Sequence, residues 1–287
     1  MIAHVAETGE NQGRVVLQLG SARPSVIAME AAVQIARAFQ SEIESIFVED
    51  KQLFDCAAYT FVREVSLTGR ASRAVTADAM TRDLRLAAQA ARRQLEAMAR
   101  RAEVPLRSRV VRDEPLRALS IACAESGPWN VVALAEPFAP GNGSLLRQLI
   151  MEISGTTGLV MVGPKARRIT GPVVAAVEDA QRIPVLLRAA ERLAALDGAP
   201  IVLLLIAPDE ERLAQIESHA RLVVAEREDV RIELAAVAHG ETAVAAEALR
   251  RLPIGFLICQ FGGLVVPDEG DLRPLASVLE CPLFLVR

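Results

Sequence analysis

The chain predicts an α/β protein: two tandem doubly wound parallel five-stranded sheets, each with helices on both faces. Three observations carry this. Short β-branched runs alternate with segments of helical period along the whole length, and this alternation implies a parallel sheet. The strand candidates are apolar at successive positions, as strands are when helices cover both sides. The pattern also restarts past the middle, and 287 residues suit two domains of ordinary size.

The first set opens with residues 14–19 (RVVLQL), a strand ending at Gly20-Ser21. Ile27, Ala31, Ile35 and Ala38 then fall at helical spacing. Residues 43–48 (IESIFV) give a second strand. A long helix covers 74–102, with Leu84, Ala88, Ala91, Leu95, Met98 and Ala102 on one face. Pro105 stops it. Strands at 106–111, 131–135 and 159–162 follow, with helices at 116–124 and 145–153 between them. Residues 163–171 (GPKARRITG) carry glycine, proline and charge without apolar period, and read as a linker.

The second set runs strand 172–177, helix 185–196, strand 201–206, helix 210–226, strand 230–237, helix 242–252, strand 254–259, helix 272–279 and strand 282–286. Laid over the first, Val15-Val16 falls on Val173-Val174 and 43–48 falls on 201–206 at one common offset. Beyond that the offset shortens once. The difference places one insertion near 51–82 in the first set. The domains are therefore expected at 1–163 and 172–287. The insertion holds Phe54, Tyr59, Phe61, Val62, Val65 and Leu67. A stretch this apolar is expected to cover the edge or the strand ends of the first domain; the other reading is a docking surface for a protein partner.

Composition narrows the function classes. The net charge is −4, so nothing advertises a polyanion partner, and aromatics at 3% offer few platforms for stacking bases. The longest strongly apolar run, 201–207, is far short of the ~20 residues of a membrane helix. Residues 1–14 are polar, without the apolar core of a secretion signal. The four cysteines, Cys56, Cys123, Cys259 and Cys281, form no CxxC pair and fit a reducing compartment. A cytoplasmic protein is expected, with no nucleic-acid and no membrane partner. His4, His219 and His239 follow no metal-ligand spacing, and no G-x-S-x-G elbow occurs.

In doubly wound folds ligands sit at the carboxyl ends of strands where the strand order reverses. The loops after the first and fourth strands of each set are therefore the informative ones. Here the pieces RVVLQLGSARPSVIAMEAA, VVRDEPLRALSIACAE, NVVALAE, GNGSLLRQLI and TTGLVMV, with PVVAAVEDAQRIPVLLRAAERLA, VAHGETAVAAEALRRL, IGFLICQ and SVLECPLFLVR, resemble two universal stress protein domains in one chain. The resemblance implies an adenine-nucleotide-alpha-hydrolase-like fold and a stress-response or regulatory protein, non-enzymatic. It also implies pairing of the two halves through their last strands, an intrachain pseudo-dimer, with a further homodimer as an extension.

Members of that family often hold ATP with an acidic residue after the first strand and a G-x-x-G-x(9)-G-[ST] loop. Glycines let backbone N–H groups approach phosphate. In the first half Leu19 takes the acidic position, next to Gly20 and Ser21. The loop at 136–144 (EPFAPGNGS) keeps Gly141, Gly143 and Ser144, while Pro137 and Pro140 remove N–H donors. A tight turn capping the next helix is the expectation for these residues, with phosphate binding as the alternative. In the second half Glu178 stands for the acid. It is expected to be a solvated carboxylate rather than an adenosine contact. Its loop at 260–268 (QFGGLVVPD) lacks the G-[ST] pair and carries acid. A degenerate nucleotide site follows. The alternative is an ATP- or other adenine-nucleotide-binding protein with slow hydrolysis, using the first-half loop.

Overall fold

The computed structural model describes residues 13–20, 25–59, 61–66, 68–125, 130–134, 156–225, 227–236, 249, 252–267, 275 and 278–286. In chain order its strands are β1 (Arg14–Leu19), β2 (Glu42–Asp50), β3 (Arg63–Val65), β4 (Ser72–Ala74), β5 (Leu106–Asp113), β6 (Asn130–Leu134), β7 (Thr156–Val162), β8 (Val173–Val177), β9 (Ile201–Ala207), β10 (Val230–Ala236), β11 (Phe256–Gln260) and β12 (Pro282–Val286). The helices are α1 (Val26–Ala38), α2 (Lys51–Ala57), α3 (Ala77–Arg101), α4 (Pro115–Glu125), α5 (Ile183–Ala194) and α6 (Glu210–Val223). The helices expected at 145–153, 242–252 and 272–279 lie outside the described residues apart from isolated positions.

Ten strands form one sheet in the order β10-β9-β8-β11-β12-β7-β6-β1-β2-β5. Read inward from either edge, the order is the same: third, second, first, fourth, fifth strand of its own set. All neighbours run parallel except β7 and β12 at the centre, which are antiparallel. Residues 159–162 and 282–286, expected side by side, are direct neighbours, with Leu159 opposite Leu285 and Val162 opposite Pro282. The two five-stranded sheets expected are thereby joined edge to edge into one ten-stranded sheet. The free edges of β7 and β12 satisfy each other's N–H and C=O groups, so neither is left unpaired.

Two apolar layers lie on the two faces. In β9 (IVLLLIA), Ile201, Leu203, Leu205 and Ala207 join one layer, and Val202, Leu204 and Ile206 join the other. The alternation follows from the period of two along a strand. The first layer is roofed by α1, α3, α5 and α6, the second by α4 and by Leu249, Leu275 and Leu279. Both layers take residues from both strand sets, so the core is continuous across the central pair.

Local signals agree with these elements. Thr76 caps α3 by accepting the Ala79 amide at 3.2 Å, and Arg100 and Arg101 end it. The face of α3 foreseen from its period is buried at Leu84, Ala88, Ala91 and Leu95. Asp209 caps α6 through the Arg212 amide at 2.7 Å, with Glu210 and Glu211 in the first turn. The linker is tied down: the Arg167 and Arg168 amides donate to the Glu280 carbonyl at 2.8 and 2.9 Å.

The insertion departs from expectation. It folds as α2 and an antiparallel hairpin, β3 with β4, which strand–helix alternation does not foresee. It covers little. Phe54 packs back, with the Arg112 guanidinium carbon 3.8 Å from its ring centroid, while Tyr59, Phe61 and Val65 stay exposed.

Candidate functional site

Strand order reverses beside β1, between β2 and β6, and beside β8, between β9 and β11. The carboxyl ends of β1 and β8 are Leu19 and Val177, so Gly20 and Glu178 are the first residues beyond them.

At the second of these ends, Glu178 is only half-exposed and does not point into solvent. Its carboxylate crosses to the loop after β11 and accepts two consecutive backbone N–H groups. Oε1 takes the Val265 amide at 3.0 Å, and Oε2 takes the Leu264 amide. The loop is shaped for this. The Gly262 and Gly263 amides donate to the Val266 carbonyl at 2.9 and 3.1 Å, closing a turn that leaves the next two amides facing Glu178. Gly262 has φ +84°, in the region that glycine adopts without strain. Gly263 allows the approach itself: a Cβ there would sit 2.7 Å from the Glu178 Cδ. The expectation of a solvated carboxylate is therefore corrected. Consecutive amides with no side-chain obstruction attract an anion, and the nearest anion is the chain's own.

Burial pushes the Glu178 carboxyl above the usual glutamate range, and the two amide hydrogen bonds pull the other way. Asp179, next in sequence, accepts the Gln181 amide at 3.0 Å and starts the 3-10 turn Ala180–Arg182 that leads into α5. Beneath the site, Cys259 on β11 is buried, and burial raises its thiol pKa well above normal, with Glu178 adding to the effect. It is an inert thiol at neutral pH.

At the first end, Leu19 is buried in the core and Gly20 is half-exposed. A half-open cleft of about 270 Å³ lies beside Leu19, beneath α3, lined also by Ser45, Phe47, Arg85, Gln89 and Arg92. Its floor is apolar where the family pattern has an acid. Ser108, also in its wall, has a buried hydroxyl without a hydrogen-bond partner among the described residues. Ser21, Gly141, Gly143 and Ser144 lie outside the described residues. So does Glu136, the first residue of the 136–144 loop.

Two buried carboxylates escaped the sequence reading. Glu44 on β2 is held by Arg14 and by Arg109, whose Nε lies 2.8 Å away, and Arg109 reaches on to Glu125 at 3.0 Å. Glu49 accepts Nε and Nη2 of Arg112 at 3.0 and 2.7 Å. Both are compensated, as buried charges must be. The only sequence signal was the run of acids in β2 (EIESIFVED) opposite arginines in β5 (LRSRVVRD). Among the described residues no group of three His, Cys, Asp or Glu side chains could hold a metal ion, and no helix is long and apolar enough to cross a membrane.

No protein-family profile matches the chain, and no curated protein matches it in sequence. Solved structures do match its fold. A universal stress protein from Archaeoglobus fulgidus DSM 4304 superposes with a TM-score of 0.61 at 12% identity, over 95% of this chain and 96% of that one. The cytoplasmic domain of a prokaryotic cation chloride cotransporter gives 0.58 at 12%, over 96% and 95%. A functionally unknown protein from Pseudomonas aeruginosa PAO1 gives 0.56 at 15%, over 95% and 92%. At these identities the likeness establishes the fold alone: a doubly wound α/β sandwich like that of the universal stress protein.

Proposed function

We propose that this chain is a cytoplasmic stress-response or regulatory protein of the universal stress type. It works without catalysis and carries a degenerate nucleotide site. It consists of two such units, residues 1–163 and 172–287, paired inside one chain as a pseudo-dimer. The repeated strand order and the antiparallel β7–β12 pair support the tandem reading.

One observation carries the degenerate site. The amides of Leu264 and Val265, in the loop where a phosphate would be cradled, are taken by the Glu178 carboxylate. A triphosphate entering there must displace a carboxylate and meet its charge, which is repulsive in a partly dry site. In the first half, the buried Leu19 side chain offers no hydrogen-bond acceptor to a ribose or base.

The second reading is adenine-nucleotide binding in the first half with slow hydrolysis. The cleft beside Leu19, with Arg85 and Arg92 in its wall, favours it. Calorimetric titration with ATP and magnesium separates the two. The leading proposal expects no saturable heat at millimolar nucleotide. Saturable binding that Gly143→Val abolishes would replace it with the second reading.

A further inference from the structure

A second cleft lies at the opposite end of β1 from Leu19. It opens where the two strand sets meet, and neither set forms it alone. The first set gives Arg14 at the start of β1 and Phe39 after α1. The second gives Val185, Arg188, Ala189 and Arg192 on α5 and Phe284 on β12. Its volume of about 370 Å³ lies within the range of small-molecule sites.

Its walls are largely apolar. The Phe39 and Phe284 rings meet edge to face, with centroids 5.9 Å apart and planes at 72°. Val185 and Ala189 face the same space from α5. Its charge is positive and in part uncompensated. Arg14 is balanced by Glu44 and Glu42. Arg188 and Arg192 are not: both are exposed, and among the described residues neither has a carboxylate within ion-pair distance. By contrast Arg227, in the loop before β10, pairs with Glu191 and Asp229.

Arg188 and Arg192 stand four residues apart on one helix. Such like-charged neighbours repel, and an anion between them would remove the repulsion. Arg192 already leans over Phe39, its guanidinium carbon 5.1 Å from the ring centroid, so the cationic rim and the apolar wall adjoin.

We propose that this seam cleft binds a monocarboxylate with an apolar body. The hydrocarbon lies against Phe39, Phe284, Val185 and Ala189, and the carboxylate lies between Arg188 and Arg192. Arginine suits this because its planar donor pair matches the two oxygens of a carboxylate. The site is separate from the strand ends discussed above, and does not depend on whether nucleotide binds there.

The test is calorimetric titration of the full chain with decanoate, using decanol as the uncharged control. Decanoate is expected to bind saturably at one site per chain, and decanol at least about tenfold more weakly. Arg188→Glu with Arg192→Glu is expected to weaken decanoate at least about tenfold while leaving the melting temperature unchanged. Val185→Trp, at a half-buried position in the cleft wall, fills the cleft without touching its charge, is expected to abolish binding and serves if the charge variant fails to fold. Absent decanoate binding, equal affinity for decanol, or undiminished binding in the variants would overturn the proposal.

Discussion

Glu178 Oε1 accepts the Val265 amide at 3.0 Å across 87 residues of sequence, joining the end of β8 to the loop after β11. This contact makes the second-half loop a closed unit rather than an open cradle. Its energetics can be measured.

The first prediction concerns pH. Burial holds the Glu178 carboxyl above its ordinary value in the folded state. A carboxyl raised by folding contributes stability that is fully present below its unfolded pKa and is lost as pH rises through the folded one. The stability of the native chain relative to Glu178→Gln should therefore be greatest near about pH 4 and should fall as pH rises toward about 7. Urea unfolding of both proteins across that range checks it; a difference that grows with pH would reverse the sign.

The second prediction is a coupling between Gly263 and Glu178. Any Cβ at residue 263 meets the Glu178 carboxylate. Gly263→Ala should destabilise by about 1–3 kcal/mol, since the crowding displaces a hydrogen-bonded group. In a Glu178→Ala background the same change should cost much less. Equal costs in the two backgrounds, measured by a double-mutant cycle, would separate the residues.

The third prediction tests the central strand pair. Gly158 on β7 lies under Phe284 on β12, where a Cβ would be 2.6 Å from ring atom Cε2. Gly158→Val should cost about 1–3 kcal/mol by overpacking, and Phe284→Ala about 3–5 kcal/mol by leaving a void. The core is continuous across this pair, so scanning calorimetry should show both changes lowering one cooperative transition. Two separate transitions, only one of them shifted, would show that the halves unfold independently.

The fourth prediction uses the thiols. Cys56 is exposed, while Cys123, Cys259 and Cys281 are buried. Burial lifts the Cys123 thiol to about 11 and the Cys281 thiol to about 12. A disulfide reagent at neutral pH should therefore modify one thiol per native chain quickly, and all four only after unfolding. Rapid loss of a second thiol in the native protein would contradict this burial.

Much of the fold was legible because its determinants are local. Most strands of the main sheet announce themselves as apolar runs, since both faces are covered, whereas β2 and the edge strands β5 and β10 interleave charged residues. Helix α6 starts at the expected residue, behind Asp209, whereas α3 starts at Ala77 behind its cap Thr76, three residues later than expected. The hairpin of β3 and β4 was not legible: each strand has three residues, all exposed, so no burial pattern betrays it. That β7 and β12 meet followed only from the resemblance, because no residue in either strand names its partner. The position of Glu178 was legible, but its bonding was not. A carboxylate after a strand looks solvated until a distant turn, set by Gly262 and Gly263, brings two amides to it. Glu44 and Glu49 were missed for the same reason, their arginines lying on another strand.

The most direct test of the central claim follows the amide resonances of Leu264 and Val265 while the full chain is titrated with ATP and magnesium. The account predicts that both stay in place at millimolar nucleotide, because Glu178 already fills their hydrogen bonds. Saturable shifts of the two amides would show that nucleotide displaces Glu178, and the site would then be a working one.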